Sequence, residues 1–67
     1  MSLRHDVKNL NNPEADNFHV QLLRLMMKAD PSNRARLERA FPNTAKMLRL
    51  WQESPTGNEE LPDIPYD

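Results

Sequence analysis

The chain has 67 residues, no cysteine and a formal net charge of −1, and these properties limit what it can be. A chain of this length forms at most one small domain, and a core below about 70–80 residues rarely contributes more than about 3–5 kcal/mol. The absence of cysteine excludes disulfide bonds and thiolate zinc sites, so we expect tight helix packing or self-association to stabilise the fold.

The charged residues are unevenly distributed along the chain. Residues 24–49 carry seven basic and two acidic side chains, whereas residues 53–67 carry five acidic side chains and no basic one. Segments of opposite charge indicate either an electrostatic partner or an acidic tail that contacts its own basic helices.

Proline residues mark the predicted helix starts. Proline is tolerated at the first position of a helix and prevents a preceding helix from continuing through it. Asn12-Pro13, Asp30-Pro31 and Phe41-Pro42 each have this arrangement. The sequence therefore predicts an all-α fold, a small three-helix domain over residues 13–53 with helices at about 13–29, 31–40 and 42–53.

The two ends of the chain have few helix signals. Residues 1–12 are predicted to be a flexible N-terminal segment, and residues 54–67 a flexible, acidic tail that contains proline. No apolar run has the length of a signal peptide or a membrane span, so we expect a cytoplasmic location and no membrane partner.

The first predicted helix has two apolar stripes. The first stripe has apolar residues at spacings of three and four, which is typical of the face that packs into a core, and consists of Ala15, Phe18, Leu22, Leu25, Met26 and Ala29. We expect one core cluster that joins this stripe to the two later helices. Its predicted members are Phe18, Leu22, Leu25, Leu37, Phe41, Leu48 and Trp51.

Val20, Leu23 and Met27 form the second stripe of the same helix. Two short neighbouring helices would not cover both stripes, and leaving this one in water forgoes about 1.5–3 kcal/mol per large side chain. We therefore predict that these three residues bind a protein partner or a second copy of the chain, as in a homodimer. The alternative is that Leu61, Ile64 and Tyr66 of the tail fold back over the stripe.

Arginines at positions 34, 36 and 39 give the pattern R-x-R-x-x-R. Arg36 and Arg39 share a helix face, whereas Arg34 is rotated toward the side of Leu37. This geometry favours a solvent-exposed helix face over a nucleic-acid-binding surface, and no interleaved aromatic residues are present to stack on bases. The alternative function is nonetheless a small nucleic-acid-binding protein, for which the candidate contacts are Arg36, Arg39, Lys46 and Arg49.

The sequence contains no catalytic arrangement that we can identify, so we expect no enzyme activity, cofactor or small-molecule substrate. His19 lacks a nucleophile and an orienting carboxylate at recognisable spacing, and the single glycine excludes a glycine-rich phosphate loop. His5 and His19 lie far apart in the sequence with no carboxylates at ligand spacing, so we expect no metal site.

Residues 28–42 have the sequence KADPSNRARLERAFP. The segment resembles small uncharacterised reading frames of bacteria and their phages, which have K-A-D-x-x-N-x-x-x-L-x-x-(A or G)-F-P between an apolar and an amphipathic helix. The resemblance covers about residues 18–52 and implies structural roles only: Asp30 caps a helix and Asn33 reaches back to it. We predict a non-catalytic protein-interaction or self-association module, with a phage origin as a hypothesis.

Overall fold

The computed structural model describes residues 2–54 and 61–67, and the described residues contain four α-helices. Helix α1 spans Leu3–Lys8, α2 spans Phe18–Lys28, α3 spans Pro31–Ala40 and α4 spans Pro42–Glu53. The all-α class is confirmed, and the three predicted helices correspond to α2, α3 and α4. Of the predicted tail, residues 55–60 lie outside the described part of the chain.

Helix α1 lies within residues 1–12, which the sequence analysis expected to be flexible. Ser2 caps it, since the Ser2 hydroxyl accepts a hydrogen bond from the His5 amide at 3.1 Å. Leu3, Val7 and Leu10 follow at intervals of four and three residues, and all three are buried. This segment therefore contributes a helix and three apolar side chains to the core.

Helix α2 begins at Phe18, five residues later than the sequence predicted. The side chain of Asn17 accepts a hydrogen bond from the Val20 amide at 2.9 Å and so caps the helix there. The Asn12-Pro13 pair forms a turn instead, in which the Asn12 side chain accepts a bond from the Glu14 amide. The guanidinium of Arg24 holds this connection by donating to the carbonyls of Leu10, Asn12 and Ala15 at 2.7–3.3 Å.

The two later proline boundaries lie where the sequence predicted them. Pro31 and Pro42 are the first residues of α3 and α4. Phe41 lies between the two helices and is both the C-cap residue of α3 and the N-cap residue of α4. Asp30 occupies the N-cap position of α3, but its side chain bonds no helix amide. Its carboxylate accepts instead from the Asn33 side chain at 2.6 Å, so the predicted capping bond of Asp30 is absent while its contact with Asn33 is present.

The core lies between α1, α2 and α4, and α3 packs on its outside without a single buried residue. Of the predicted core, Leu22 and Leu48 are buried, and Leu37, Phe41 and Trp51 are half-buried at its edge. Phe18 and Leu25 are instead 63% and 46% exposed. The buried apolar side chains are Leu3, Val7, Leu10, Val20, Leu22, Leu23, Met26, Ala45, Met47, Leu48 and Leu61.

Helix α2 is therefore rotated relative to the prediction, so that Leu22 and Met26 of the first stripe are buried together with Val20 and Leu23 of the second. Its buried residues centre on Leu23 and Met26, a rotation of about 100° about the helix axis, or one residue step. The physical reason is α1, which contacts α2 and α4 and adds Leu3 and Val7 to the same cluster as Leu23. Among the described residues, no helix is long and apolar enough to cross a membrane.

Candidate protein-interaction surface

The predicted partner-binding stripe is largely inside the folded chain. Val20 and Leu23 are both 0% exposed and belong to the core cluster, whereas Met27 is 46% exposed. The chain's own α1 and α4 cover the first two side chains, so Val20, Leu23 and Met27 form no continuous surface on this fold.

The exposed apolar surface lies on the neighbouring side of α2. We call it the α2–α3 face and define it by Phe18, Leu25, Leu37 and Phe41. The rings of Phe18 and Phe41 are 6.1 Å apart between centroids, and Phe18 remains 63% exposed, so Phe41 covers the Phe18 ring only in part. Further along the two helices lies a groove of about 390 Å³, lined by Leu25, Lys28, Ala29, Asp30, Asn33, Arg36 and Leu37.

The rim of this groove is basic. Lys28 and Arg36 line it and are exposed, and Arg36 donates to the neutral side chain of Asn33 at 3.1 Å. The one acidic lining residue, Asp30, accepts from the same amide. Within residues 2–54 and 61–67, neither Lys28 nor Arg36 forms an ion pair.

The four candidate nucleic-acid contacts, Arg36, Arg39, Lys46 and Arg49, are all exposed. The Glu38 carboxylate lies 3.8 Å from Arg49 and 3.1 Å from Arg34, so it partly neutralises the basic side of α3 and α4. Arg34 is half-buried at the edge of the core and also reaches the Met26 carbonyl, as its predicted rotation implied.

The C-terminal residues dock on the helices. We call Leu61–Asp67 the docked segment. Leu61 is buried and Ile64 half-buried against the core cluster that contains Val20 and Leu23. The alternative placed Leu61, Ile64 and Tyr66 over the whole Val20, Leu23 and Met27 stripe, but Met27 is 46% exposed. At one end the Arg4 guanidinium donates to the Leu61 carbonyl at 3.4 Å, and near the other end the Asn43 side chain donates to the Pro65 carbonyl at 3.1 Å.

Asp67 caps helix α4, whose own N-cap residue, Phe41, has no side-chain acceptor. One Asp67 oxygen accepts from the Asn43 amide at 2.8 Å, and the other accepts from the Thr44 amide at 3.0 Å and its hydroxyl at 2.8 Å. Burial acts to raise the pKa of Asp67, but these hydrogen bonds and the nearby His19 lower that pKa below its ordinary value.

Tyr66 joins the docked segment to α1 and α2. Its hydroxyl donates to the fully buried carboxylate of Asp6 at 2.7 Å, and its ring stacks on His19 with centroids 4.0 Å apart. The second Asp6 oxygen accepts from the side chain of Asn17, the residue that caps α2. Burial, the hydrogen bond to Asp6 and the Asp6 charge raise the pKa of Tyr66 to about 12.

The hydrogen-bond network of Asp6, Tyr66 and Asp67 was not predicted from the sequence. One signal was present: Phe41 precedes Pro42 at a helix start, and a phenylalanine side chain cannot accept a hydrogen bond from helix amides. The first amides of α4 were therefore open to an acceptor from elsewhere in the chain, and the acidic C-terminal end contained one.

A second cavity, of about 230 Å³, lies between α1 and the start of α2. Its polar lining includes His5, Glu14 and Asp16. Across residues 2–54 and 61–67, no group of three histidine or carboxylate side chains is placed to hold a metal ion.

Comparison with known proteins adds no relative to this description. A scan against protein-family models and searches of the curated proteins and of the solved structures found no match to the chain. The resemblance carried by residues 28–42 therefore stays a prediction.

Proposed function

We propose that this protein is a non-catalytic interaction module of the cytoplasm that binds an acidic, amphipathic segment of another protein on its α2–α3 face. The observation that carries the proposal is that exposed apolar side chains lie beside basic side chains that form no ion pair within residues 2–54 and 61–67. Phe18 and Leu25 are 63% and 46% exposed, and Lys28 and Arg36 line the groove beside Leu25. The hypothesis of a phage origin accompanies this proposal and rests on the resemblance alone.

The spacing of the apolar groups suits a helical ligand. Phe18 and Leu25 are seven residues apart on one side of α2, a separation of about 10 Å along the helix axis. An amphipathic helix places apolar anchors at positions i, i+3 or i+4, and i+7, over the same length. Leu37 of α3 and Phe41, the residue between α3 and α4, are both half-buried and form the other wall against which such anchors pack.

The charge of the rim favours an acidic partner over a second copy of the chain. In a two-fold dimer the same patch lies on both sides of the interface, so Lys28 and Arg36 of each copy would approach like charges. Juxtaposed like charges disfavour association, whereas acidic side chains flanking the apolar anchors of a partner would complement the rim.

The test is a titration of the isotope-labelled full chain with a synthetic amphipathic peptide, followed by NMR. The peptide has leucine or phenylalanine at positions i, i+3 and i+7 and glutamate on the remaining surface. We expect chemical-shift changes confined to residues around Leu25, Lys28, Arg36 and Leu37. A matched peptide with lysine in place of glutamate should bind at least about tenfold more weakly, since only the charge differs.

Charge reversal in the protein supplies the control. The double variant Lys28→Glu and Arg36→Glu should reverse the preference, so that the lysine peptide binds more tightly than the glutamate peptide. Equal binding of both peptides to both proteins, or shift changes centred away from the α2–α3 face, would contradict the proposal.

A further inference from the structure

The docked segment is held at a few defined points and buries little of itself. Leu61 is buried and Ile64 is half-buried, while Pro62, Asp63, Pro65, Tyr66 and Asp67 are exposed. Its polar contacts are concentrated at its last three residues, where they reach α1 and α4. A segment of this kind opens at low free-energy cost compared with unfolding of the core.

The surface beneath the docked segment forms a binding site for Tyr66 and Asp67, which we call the seat. We define the seat by Asp6, His19, Asn43 and Thr44. Asp6 is 0% exposed, and one of its oxygens is paired only with the Tyr66 hydroxyl among the described residues. The first amides of α4 are paired with Asp67, because Phe41 has no side-chain acceptor to offer. The seat thus presents a buried acceptor, an aromatic stacking partner and amide donors to whatever occupies it.

We propose that the seat also receives the docked segment of a second copy of this chain, so that two copies associate by exchanging Leu61–Asp67. A second copy is the occupant because its segment is the one ligand whose fit to the seat is seen in the structure. The contacts made within one chain and between two chains are the same, so their balance depends on concentration. This inference is independent of the α2–α3 face, which the exchange does not use.

Association by exchange has a defined concentration range. Binding within one chain corresponds to an effective concentration on the order of 1 mM, so the intramolecular form is favoured in dilute solution. The population of the exchanged form increases when the local protein concentration approaches that value, or when the segment of one copy cannot occupy its own seat. The second condition can be imposed by substitution.

Two complementary full-length variants test the exchange. Asp67→Ala keeps the seat and removes the carboxylate of the segment. Asn43→Asp keeps the segment and places a carboxylate at the start of α4, where it repels Asp67 and removes the amide donor to the Pro65 carbonyl. Labelled Asp67→Ala chain is titrated with unlabelled Asn43→Asp chain to about 1 mM, and the Asn43 and Thr44 amides of the labelled chain are followed by NMR.

We expect these two amide signals to move toward their positions in the unsubstituted protein, with 1:1 stoichiometry and a doubled mass by sedimentation. The double variant Asn43→Asp and Asp67→Ala, which has no intact segment, is the matched control and should leave the signals in place. Should Asp67→Ala fail to fold, Asp67→Asn repeats the test with a side chain of the same size. Signals that stay in place with both titrants, or move equally with both, would overturn the proposal.

Discussion

The cap that Asp67 provides to α4 gives a quantitative prediction. Asp67→Ala removes the acceptor for the Asn43 and Thr44 amides and for the Thr44 hydroxyl. Loss of an N-cap acceptor costs about 0.5–2 kcal/mol, and the exposure of this carboxylate to solvent limits any additional charge term. We therefore expect a loss of about 1–2 kcal/mol in the free energy of unfolding, measured by urea denaturation at pH 7.

Thermal unfolding provides a second measure of the same effect. For a domain of this size, 1 kcal/mol corresponds to a change of about 4–8 °C in Tm, so the variant should melt about 4–16 °C lower. Asp63→Ala is the matched control, because Asp63 is an exposed aspartate of the same segment and surface substitutions usually change stability by less than about 0.5 kcal/mol.

The pH dependence of this difference follows from the lowered pKa of Asp67. A carboxylate whose pKa is lower in the folded than in the unfolded chain contributes stability above its unfolded pKa, which is about 3.9. That contribution is lost as the pH falls through the lower, folded pKa. The difference between the unsubstituted protein and Asp67→Ala should therefore be constant above about pH 5 and shrink in more acidic solution. Equal stability of the two proteins at pH 7, or an equal loss in Asp63→Ala, would refute the capping role.

Three further predictions concern other contacts. Tyr66→Phe removes the hydroxyl that donates to one oxygen of the buried Asp6 and should lower the free energy of unfolding by about 1–3 kcal/mol at pH 7. Because the pKa of Tyr66 is raised to about 12 in the folded chain, the unsubstituted protein should lose this advantage as the pH rises above about 10. Urea denaturation of both proteins, repeated across that pH range, measures the difference. Arg24→Ala removes the donor to three carbonyls of the α1–α2 connection and should destabilise the fold by about 1–3 kcal/mol, whereas Arg39→Ala at an exposed position should change it by less than about 0.5 kcal/mol. Retention on duplex DNA should disappear between low and physiological salt in a gel-shift series, because few basic groups release few counterions; submicromolar, sequence-dependent binding at physiological salt would favour the nucleic-acid alternative.

The helix starts that depend on local chemistry could be predicted from the sequence. Pro31 and Pro42 fix the first residues of α3 and α4 because proline cannot occupy the interior of a continuing helix. The start of α2 was misplaced because Asn12 and Asn17 are both competent caps, and the choice between them depends on the contacts of Arg24 with the connection.

The buried face of α2 could not be predicted in the same way. Apolar residues cover more than half of its circumference, so its periodicity allows either the Phe18 side or the Leu23 side to face inward. The choice is made by α1, a six-residue helix that is too short to be stable alone and forms through tertiary packing. Docking of the C-terminal residues is equally non-local, since the hydrogen bond from Tyr66 to Asp6 joins positions 60 residues apart.

We propose that the partner binds the α2–α3 face and not the stripe of Val20, Leu23 and Met27. Leu25 and Met27 allow a direct comparison, because both lie on α2 and both are 46% exposed, but only Leu25 lines the groove. The measurement is the dissociation constant of the glutamate-rich peptide for Leu25→Glu and Met27→Glu, by fluorescence anisotropy. We predict at least about a tenfold weakening for Leu25→Glu and a change within about twofold for Met27→Glu. Equal losses in the two variants, or a larger loss in Met27→Glu, would contradict the account.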